Sequence, residues 1–170
     1  MIASEIKIIC LDLTDQYEKL LSDFIDRNFM DSIDQKPKTA AKGRPVDQSK
    51  DDGGSIIEFI KTVNEVISDF LSPSCTKKIL ILNPANYRVS KQTSGAYNGN
   101  AAFSDLTPCE ITAIISSASL KACQSLGMAD QARVCLVYEE AHSLVPEWNS
   151  VVSDGDKNAT AASARAILQG

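Results

Sequence analysis

The sequence predicts an α/β fold in which helices cover a parallel β-sheet. Short apolar runs alternate with longer stretches whose apolar residues recur at helical spacing, and this alternation is typical of layered α/β sheets. The run from Val134 to Tyr138 is continuous and rich in Val and Leu, which predicts a strand buried on both faces. With 170 residues, 44% of them hydrophobic, the chain can bury the core of one domain.

The first predicted strand lies between Ile6 and Leu13, and Thr14 and Asp15 then supply side chains that cap helices. A helical pattern follows at Tyr17, Leu20, Leu21, Phe24 and Ile25. The next stretch, from about Asp31 to Gly54, carries Lys, Asp, Gln, Pro and Gly with few large apolar groups. Such a composition buries too little surface to offset ordering entropy, so we interpret residues 31–54 as a polar insertion or mobile loop.

A second helix is predicted to begin after Ser55, because Ser55 and Glu58 have the spacing of a capping box. Pro73 is expected to end this helix. A second buried strand then covers Ile79 to Leu82 and stops at Asn83-Pro84. The polar loop that follows, from Ser94 to Asn100, suits either a lid or a surface excursion.

Thr107, Pro108 and Glu110 predict the start of a further helix, since a capping hydroxyl, a first-position proline and an acid three residues on occur together. Its predicted buried face consists of Ile111, Ile114, Ile115 and Ala118. Gly127 is placed to end it in a left-handed turn. After the third strand, Pro146 and Gly155 are expected to break regularity, and Asn158 or Thr160 to cap a last helix.

Two adjacent carboxylates, Glu139 and Glu140, follow the third strand directly. Functional groups of open parallel sheets gather at the carboxyl ends of strands, so this pair is expected to face a ligand crevice. That is the position of the Walker B acids of nucleoside triphosphatases, which hold Mg²⁺ and orient the attacking water. The alternative is a solvated strand end or the start of a helix. A zinc protease motif is excluded, because HExxH needs two histidines and His142 is the single one.

Composition restricts the other classes of function. The formal net charge of -5 gives no overall basic field, so contact with nucleic acid requires local patches or residues outside this sequence. The N-terminus lacks a secretory pattern and no segment has the length of a membrane span, which predicts a cytoplasmic protein. Five cysteines without a CxxC pair indicate free thiols and argue against a structural zinc site.

Three segments together resemble one family of ATPases. They are Lys7–Tyr17, Phe103–Thr112, and the stretch from Val134 through Glu139-Glu140-Ala141-His142 to Gly170. With these segments the chain resembles the HerA/FtsK superfamily of hexameric ATPases, in particular HerA-like proteins with the helicase HerA central domain. The resemblance implies a parallel sheet of the P-loop NTPase (RecA/HerA-like) type.

The resemblance also implies roles for individual residues. Glu139 looks like the Walker B acid that is linked to Mg²⁺ through water, and Glu140 looks like the catalytic carboxylate that activates water, with the reverse order as the alternative. His142 is expected either to contact the terminal phosphate or to be a hydrogen-bonded structural histidine. Asp12, at the end of a parallel strand, is expected either beside the nucleotide or as a helix cap together with Asp15.

One element that an ATPase needs is absent, because the sequence contains neither GxxxxGKS nor GxxxxGKT, the loop that cradles the phosphates. We therefore expect residues 1–170 to be a partial, incomplete core domain of a longer ATPase. By resemblance the parent binds ATP and Mg²⁺, acts on DNA as a translocase or helicase, forms a homo-hexamer and has a possible nuclease partner. The alternative is a catalytically inactive fragment, or an interaction or oligomerisation module. A small flavodoxin-like domain whose acids bind a metal is a third interpretation.

Overall fold

A computed structural model of the protein describes residues 6–17, 56–87, 89–93, 102–128, 133–146 and 154–169. Within these ranges, the elements follow the chain as β1 (Lys7–Leu11), α1 (Ile56–Leu71), β2 (Ile79–Leu82), a short 3-10 helix (Pro84–Asn86), β3 (Ser90–Thr93), β4 (Ala102–Asp105), α2 (Pro108–Ser125), β5 (Val134–Tyr138), α3 (Ala141–Leu144) and α4 (Asp154–Gln169). The helix predicted after Tyr17, the polar segment 31–54, the capping residue Ser55 and the loop 94–100 lie outside the described residues.

A small parallel sheet organises the fold, and its strand order is β2-β1-β5. The central strand pairs in parallel with both neighbours, so that Ile9 lies opposite Leu80 on one side and Leu136 on the other. The predicted α/β class is therefore confirmed. Since all three strands run the same way, their carboxyl ends meet at one edge of the sheet.

One face of the sheet carries the main hydrophobic core. Ile9 and Leu11 of β1 are fully buried there, together with Leu80 and Leu82 of β2. The helices contribute side chains at helical spacing, namely Phe59, Val63, Ile67 and Phe70 of α1 and Ile111 and Ile115 of α2. Each such side chain contributes about 1.5–3 kcal/mol by leaving water, so the sheet and these two helices hold each other in place.

The strand β5 differs from its prediction. A strand buried on both faces was expected, but all five residues from Val134 to Tyr138 are only partly buried. The strand order places β5 at one edge of the sheet, but the other edge strand, β2, is buried at all four residues, so edge position alone does not account for the exposure of β5. The apolar composition of β5 correctly predicted a strand, but the predicted burial on both faces was wrong.

The helix α2 begins and ends as the sequence predicts. Thr107 accepts a hydrogen bond from the Glu110 backbone and Glu110 bonds back to the Thr107 backbone, which completes the capping box. Gly127 has a φ of +66°, a conformation that suits glycine after a helix end. The predicted inner face is buried except for Ile114, which is partly buried.

The last helix begins earlier than predicted. Since α4 starts at Asp154, Asn158 and Thr160 lie within it, so neither is its N-cap, and Gly155 lies in its first turn. The helix packs on α2, where Ala159 is buried against Cys109 and Ala113. One glycine costs a helix only about 1 kcal/mol, which such packing readily offsets.

A β-hairpin was not predicted. The strands β3 and β4 pair antiparallel, with Ser90 opposite Asp105 and Thr93 opposite Ala102. They flank the polar loop that the sequence marked as a lid or surface excursion. Neither strand is a long apolar run, so hydrophobic pattern alone gave no signal for them.

The strand β1 is shorter than the predicted run from Ile6 to Leu13, whereas the end of α1 and the bounds of β2 agree with their predictions. The helix α1 ends at Leu71, two residues before Pro73, and β2 coincides with the predicted run. Among the described residues, no helix combines the length and apolar character needed to cross a membrane.

Candidate functional site

Three polar side chains follow the three parallel strands at the carboxyl edge of the sheet. Asp12 follows β1, Asn83 follows β2 and Glu139 follows β5. Two backbone hydrogen bonds extend the sheet by one residue at this edge, from Asp12 N to Leu82 O at 3.0 Å and from Glu139 N to Leu11 O at 2.9 Å. The three side chains therefore project from neighbouring positions at the carboxyl end of the sheet.

The Glu139 carboxylate is bound at both oxygen atoms to the loop after β1. Its Oε2 accepts a hydrogen bond from Leu13 N at 3.1 Å, and its Oε1 accepts one from Thr14 Oγ1 at 3.1 Å. An ionised carboxylate offers about four acceptor positions. Two positions therefore remain for a further ligand, and the two bonds fix the direction in which they point.

Asp12 binds the backbone of the loop after β1, whose residues Leu13 and Thr14 contact Glu139. Its side chain is fully buried, its Oδ1 accepts a hydrogen bond from Thr14 N at 3.2 Å, and the same oxygen lies 3.3 Å from Thr14 Oγ1, so Asp12 and Glu139 share the single hydroxyl proton. Its Oδ2 accepts a hydrogen bond from Tyr17 N at 2.8 Å. These bonds connect Asp12 to the backbone of Thr14 and Tyr17, and both predicted roles of Asp12 stay predictions, because the residues after Tyr17 lie outside the described ranges.

Asn83 is a site residue that the sequence did not single out. Its buried amide donates to Leu13 O at 3.2 Å and to Asp15 Oδ1 at 2.9 Å, and its Oδ1 accepts from Ala85 N at 2.8 Å. The rule that drew attention to Glu139, a polar residue directly after a parallel strand, applies to Asn83 as well. The amide ties the end of β2 to the same loop.

Glu140 and His142 form a second, exposed pair. The Glu140 backbone is left-handed, with φ 51° and ψ 47°, and precedes α3. Its Oε2 lies 3.3 Å from His142 Nδ1, with side-chain exposures of 46% for Glu140 and 78% for His142. The structure thus joins Asp12 and Glu139 through Thr14, and it joins Glu140 to His142.

The thiol of Cys10 has a raised pKa. Burial, and next the charges of Asp12 and Glu139, raises the pKa of Cys10 from 9.0 to about 12. The Cys10 thiol therefore stays protonated at neutral pH and belongs to the apolar packing behind the site.

The sequence predicts a metal ion that Glu139 holds through water. Within the ranges that the structure describes, no group of three or more His, Cys, Asp and Glu side chains is arranged to hold a metal ion directly. Glu139 retains acceptor positions that can bind metal-coordinated water, as Mg²⁺ sites commonly require. The contact of Glu139 with Mg²⁺ through water therefore stays a prediction.

We compared the chain with models of protein families, with curated proteins and with solved structures, and none of the three comparisons found a match. Interpretation of the site therefore depends on its residues and geometry.

Proposed function

We propose that the chain supplies the acid pair of an ATP-hydrolysing motor of the HerA/FtsK type, on a sheet of the P-loop NTPase type. The main support is the anchored Glu139 carboxylate, which follows a parallel strand and is bound at both oxygens to the loop after the neighbouring strand. The carboxyl edge of a parallel sheet is where α/β proteins bind nucleotides. The three sequence segments that resemble the family lead to the same proposal.

The two acids have separate roles in this proposal. Glu139 positions Mg²⁺ through water, and when bound the ion neutralises charge on the phosphates. Glu140 orients the attacking water, and His142 Nδ1 lies 3.3 Å from its carboxylate. Left-handed backbone at a residue other than glycine is often retained at functional sites, which supports a role for Glu140.

The phosphates require groups beyond these acids. A carboxylate pair supplies no positive charge, and the sequence contains no GxxxxGKS or GxxxxGKT loop. We therefore propose that the loop belongs to a parent protein that includes these residues. The family resemblance alone is the basis for three further proposals. They are that the parent acts on DNA, that it forms a homo-hexamer and that it has a nuclease partner.

The test is ATP hydrolysis by the product of the complete reading frame that encodes these residues. Replacing Glu140 by Gln should leave Mg-ATP binding largely intact and lower hydrolysis by about 100-fold or more. The matched control is Glu65→Gln, because Glu65 is an exposed acid on α1 that pairs with Lys61 at 3.8 Å. Turnover by the Glu140 variant at the control's rate would overturn the assignment.

The 170-residue chain alone gives a second measurement. Without a phosphate-binding loop we expect no Mg-ATP binding detectable by titration calorimetry. A micromolar dissociation constant for this chain would contradict the proposed division of roles.

The second candidate function is an interaction or oligomerisation module without catalysis. The observation that favours it is the exposed apolar end of α4, where the exposed fractions are 49% for Ile167 and 86% for Leu168. Oligomers that form without nucleotide, in a complete product that hydrolyses no ATP, would support this candidate over the motor. Analytical ultracentrifugation with Leu168→Glu, compared with Ile57→Glu on α1, tests the surface.

A further inference from the structure

We propose that α4 is a detachable helix that opens from α2 while the sheet and its main core stay folded. This opening controls access to the Cys109 thiol. The inference goes beyond the proposed function, and it holds whether or not the acids after β5 take part in ATP hydrolysis. Three observations support it: the small side chains that α4 buries, the unpaired hydroxyl groups on α4, and the position of Cys109 against this helix.

The side chains that α4 buries are all small. They are Ala159, Thr160, Ser163 and Ala166. Free energy from burial grows with the apolar area removed from water, so these side chains stabilise the docked helix less than Phe or Ile residues would. The larger apolar residues Ile167 and Leu168 are exposed. Within the described ranges, no α4 residue belongs to the main core, so that core stays intact when α4 opens.

Two buried hydroxyl groups of α4 oppose its docking. Thr160 Oγ1 and Ser163 Oγ have no hydrogen-bond partner among the described residues. The buried serines of α2 differ, because Ser116 and Ser119 donate to backbone carbonyl groups one turn earlier, at 2.7 and 2.8 Å. Water solvates the Thr160 and Ser163 hydroxyls when α4 is open, and docking removes this water without supplying a replacement. Such desolvation costs free energy, which shifts the equilibrium toward the open state.

A side-chain hydrogen bond joins the first turn of α4 to the start of α2. Thr107 Oγ1 donates it to Asp156 Oδ1. The same Thr107 oxygen accepts a hydrogen bond from Glu110 N, which caps α2. This capping bond does not involve α4, so α2 keeps its N-cap when the contact with Asp156 breaks. Opening of α4 is therefore a local event that leaves its partner helix folded.

Cys109 lies in the first turn of α2, against α4. It is 9% exposed and is buried against Ala159 of α4 and Ala113 of its own helix. Its Sγ also donates a hydrogen bond to Ser143 O at 3.4 Å. When α4 opens, Ala159 leaves and one side of the thiol meets solvent. Reaction of a thiol requires access to the sulfur, so the labelling rate of Cys109 reports how often α4 is open.

The experiment measures alkylation of the folded 170-residue chain by iodoacetamide, at reagent concentrations where the labelling rate is proportional to the opening equilibrium constant. Cleavage by trypsin after Lys and Arg places the five cysteines in five different peptides, so mass spectrometry follows Cys109 separately. We expect the opening constant to exceed the global unfolding constant by at least about 10-fold, with a weaker dependence on urea. A Cys109 labelling constant equal to the global one, with the same urea dependence, would overturn the proposal.

The Thr160→Val variant tests whether α4 is the element that moves. It keeps the side-chain shape and has a similar helix propensity, but it removes an unpaired hydroxyl. We expect it to lower the Cys109 labelling rate by about 5-fold or more. Thr76→Val is the control, at an exposed threonine that precedes β2, and it should leave the rate unchanged. If Thr160→Val labels Cys109 as fast as the wild type, another movement exposes the thiol and the proposal is wrong.

Ser163→Ala provides a second test of the same helix. It removes the other unpaired hydroxyl of α4 and should also slow labelling of Cys109 by about 5-fold or more. Because alanine favours helix formation over serine, the matched control is Asn158→Ala, at an exposed position of α4. A similar gain in helix propensity at Asn158 should slow labelling less. Equal effects of the two alanine substitutions would show that the buried hydroxyl does not drive opening.

Discussion

His142 Nδ1 lies 3.3 Å from Glu140 Oε2, on the exposed first turn of the helix that follows β5. The partner of this contact, Glu140, has a φ of 51° and no side-chain capping hydrogen bond. Left-handed backbone costs a residue with a Cβ about 1–2 kcal/mol. A glutamate therefore occupies a position where glycine would avoid this cost.

Glu140→Gly should stabilise the protein. The substitution removes the Cβ penalty and adds some chain entropy to the unfolded state, so we expect the free energy of unfolding to rise by about 0.5–1 kcal/mol. Glu140→Ala is the control, since alanine also removes the carboxylate but keeps the Cβ. Urea unfolding of both variants measures the difference, and a glycine variant no more stable than the alanine variant would contradict the explanation.

The sequence predicted the three parallel strands and α2 because their signals are local. Apolar runs marked β1, β2 and β5, and the capping box at Thr107 and Glu110 marked the start of α2. The carboxyl-end rule also predicted where Glu139 emerges. The hairpin and the early start of α4 depend on contacts between distant segments, which local patterns do not contain.

The sequence did not predict that the two adjacent acids, Glu139 and Glu140, have different contact partners. Glu139 and Glu140 are adjacent, yet the first is bound to the loop after β1 and the second contacts His142. The left-handed residue between β5 and α3 is a glutamate, whereas positive φ is normally signalled by Gly, Asn or Asp. The contact of Thr14 with Glu139 spans 125 positions and becomes visible only once β1 and β5 are paired.

A buried lysine caps the end of α1 and should contribute to stability. Lys7 is 8% exposed, and its ammonium donates hydrogen bonds to the carbonyl groups of Phe70, Ser72 and Cys75. Lys7→Met keeps most of the apolar stem but removes the donors. We expect the free energy of unfolding to fall by about 1–3 kcal/mol, because carbonyl groups near the helix end lose their partner.

The matched control for this substitution is Lys61→Met on the same helix. The Lys61 side chain is 76% exposed and pairs with Glu65 at 3.8 Å. Exposed pairs of this kind contribute little, so a change within about 0.5 kcal/mol is expected. If urea unfolding shows that Lys7→Met and Lys61→Met lower the free energy of unfolding equally, the hydrogen bonds of Lys7 do not stabilise the protein.

Buried thiols should make the protein sensitive to alkaline pH. Burial is the main cause that raises the pKa of Cys10 to about 12, and burial also raises the pKa of Cys109, Cys123 and Tyr138. For each group the folded state binds more protons above the ordinary pKa, so stability is present below that pKa and is lost as pH rises toward the folded value. Burial lowers the pKa of Lys7, so this residue makes the stability rise with pH. The four groups with raised pKa values outnumber it.

We therefore expect the free energy of unfolding to fall between about pH 9 and pH 11, with a slope of about 1.4 kcal/mol per pH unit from each fully titrating group. Cys10→Ala removes one of these groups. Its own packing loss is present at every pH, so the informative quantity is the slope, which should be shallower than in the wild type. Urea unfolding under reducing conditions at several pH values measures it, and parallel pH profiles for the two proteins would exclude Cys10 as a source of the alkaline sensitivity.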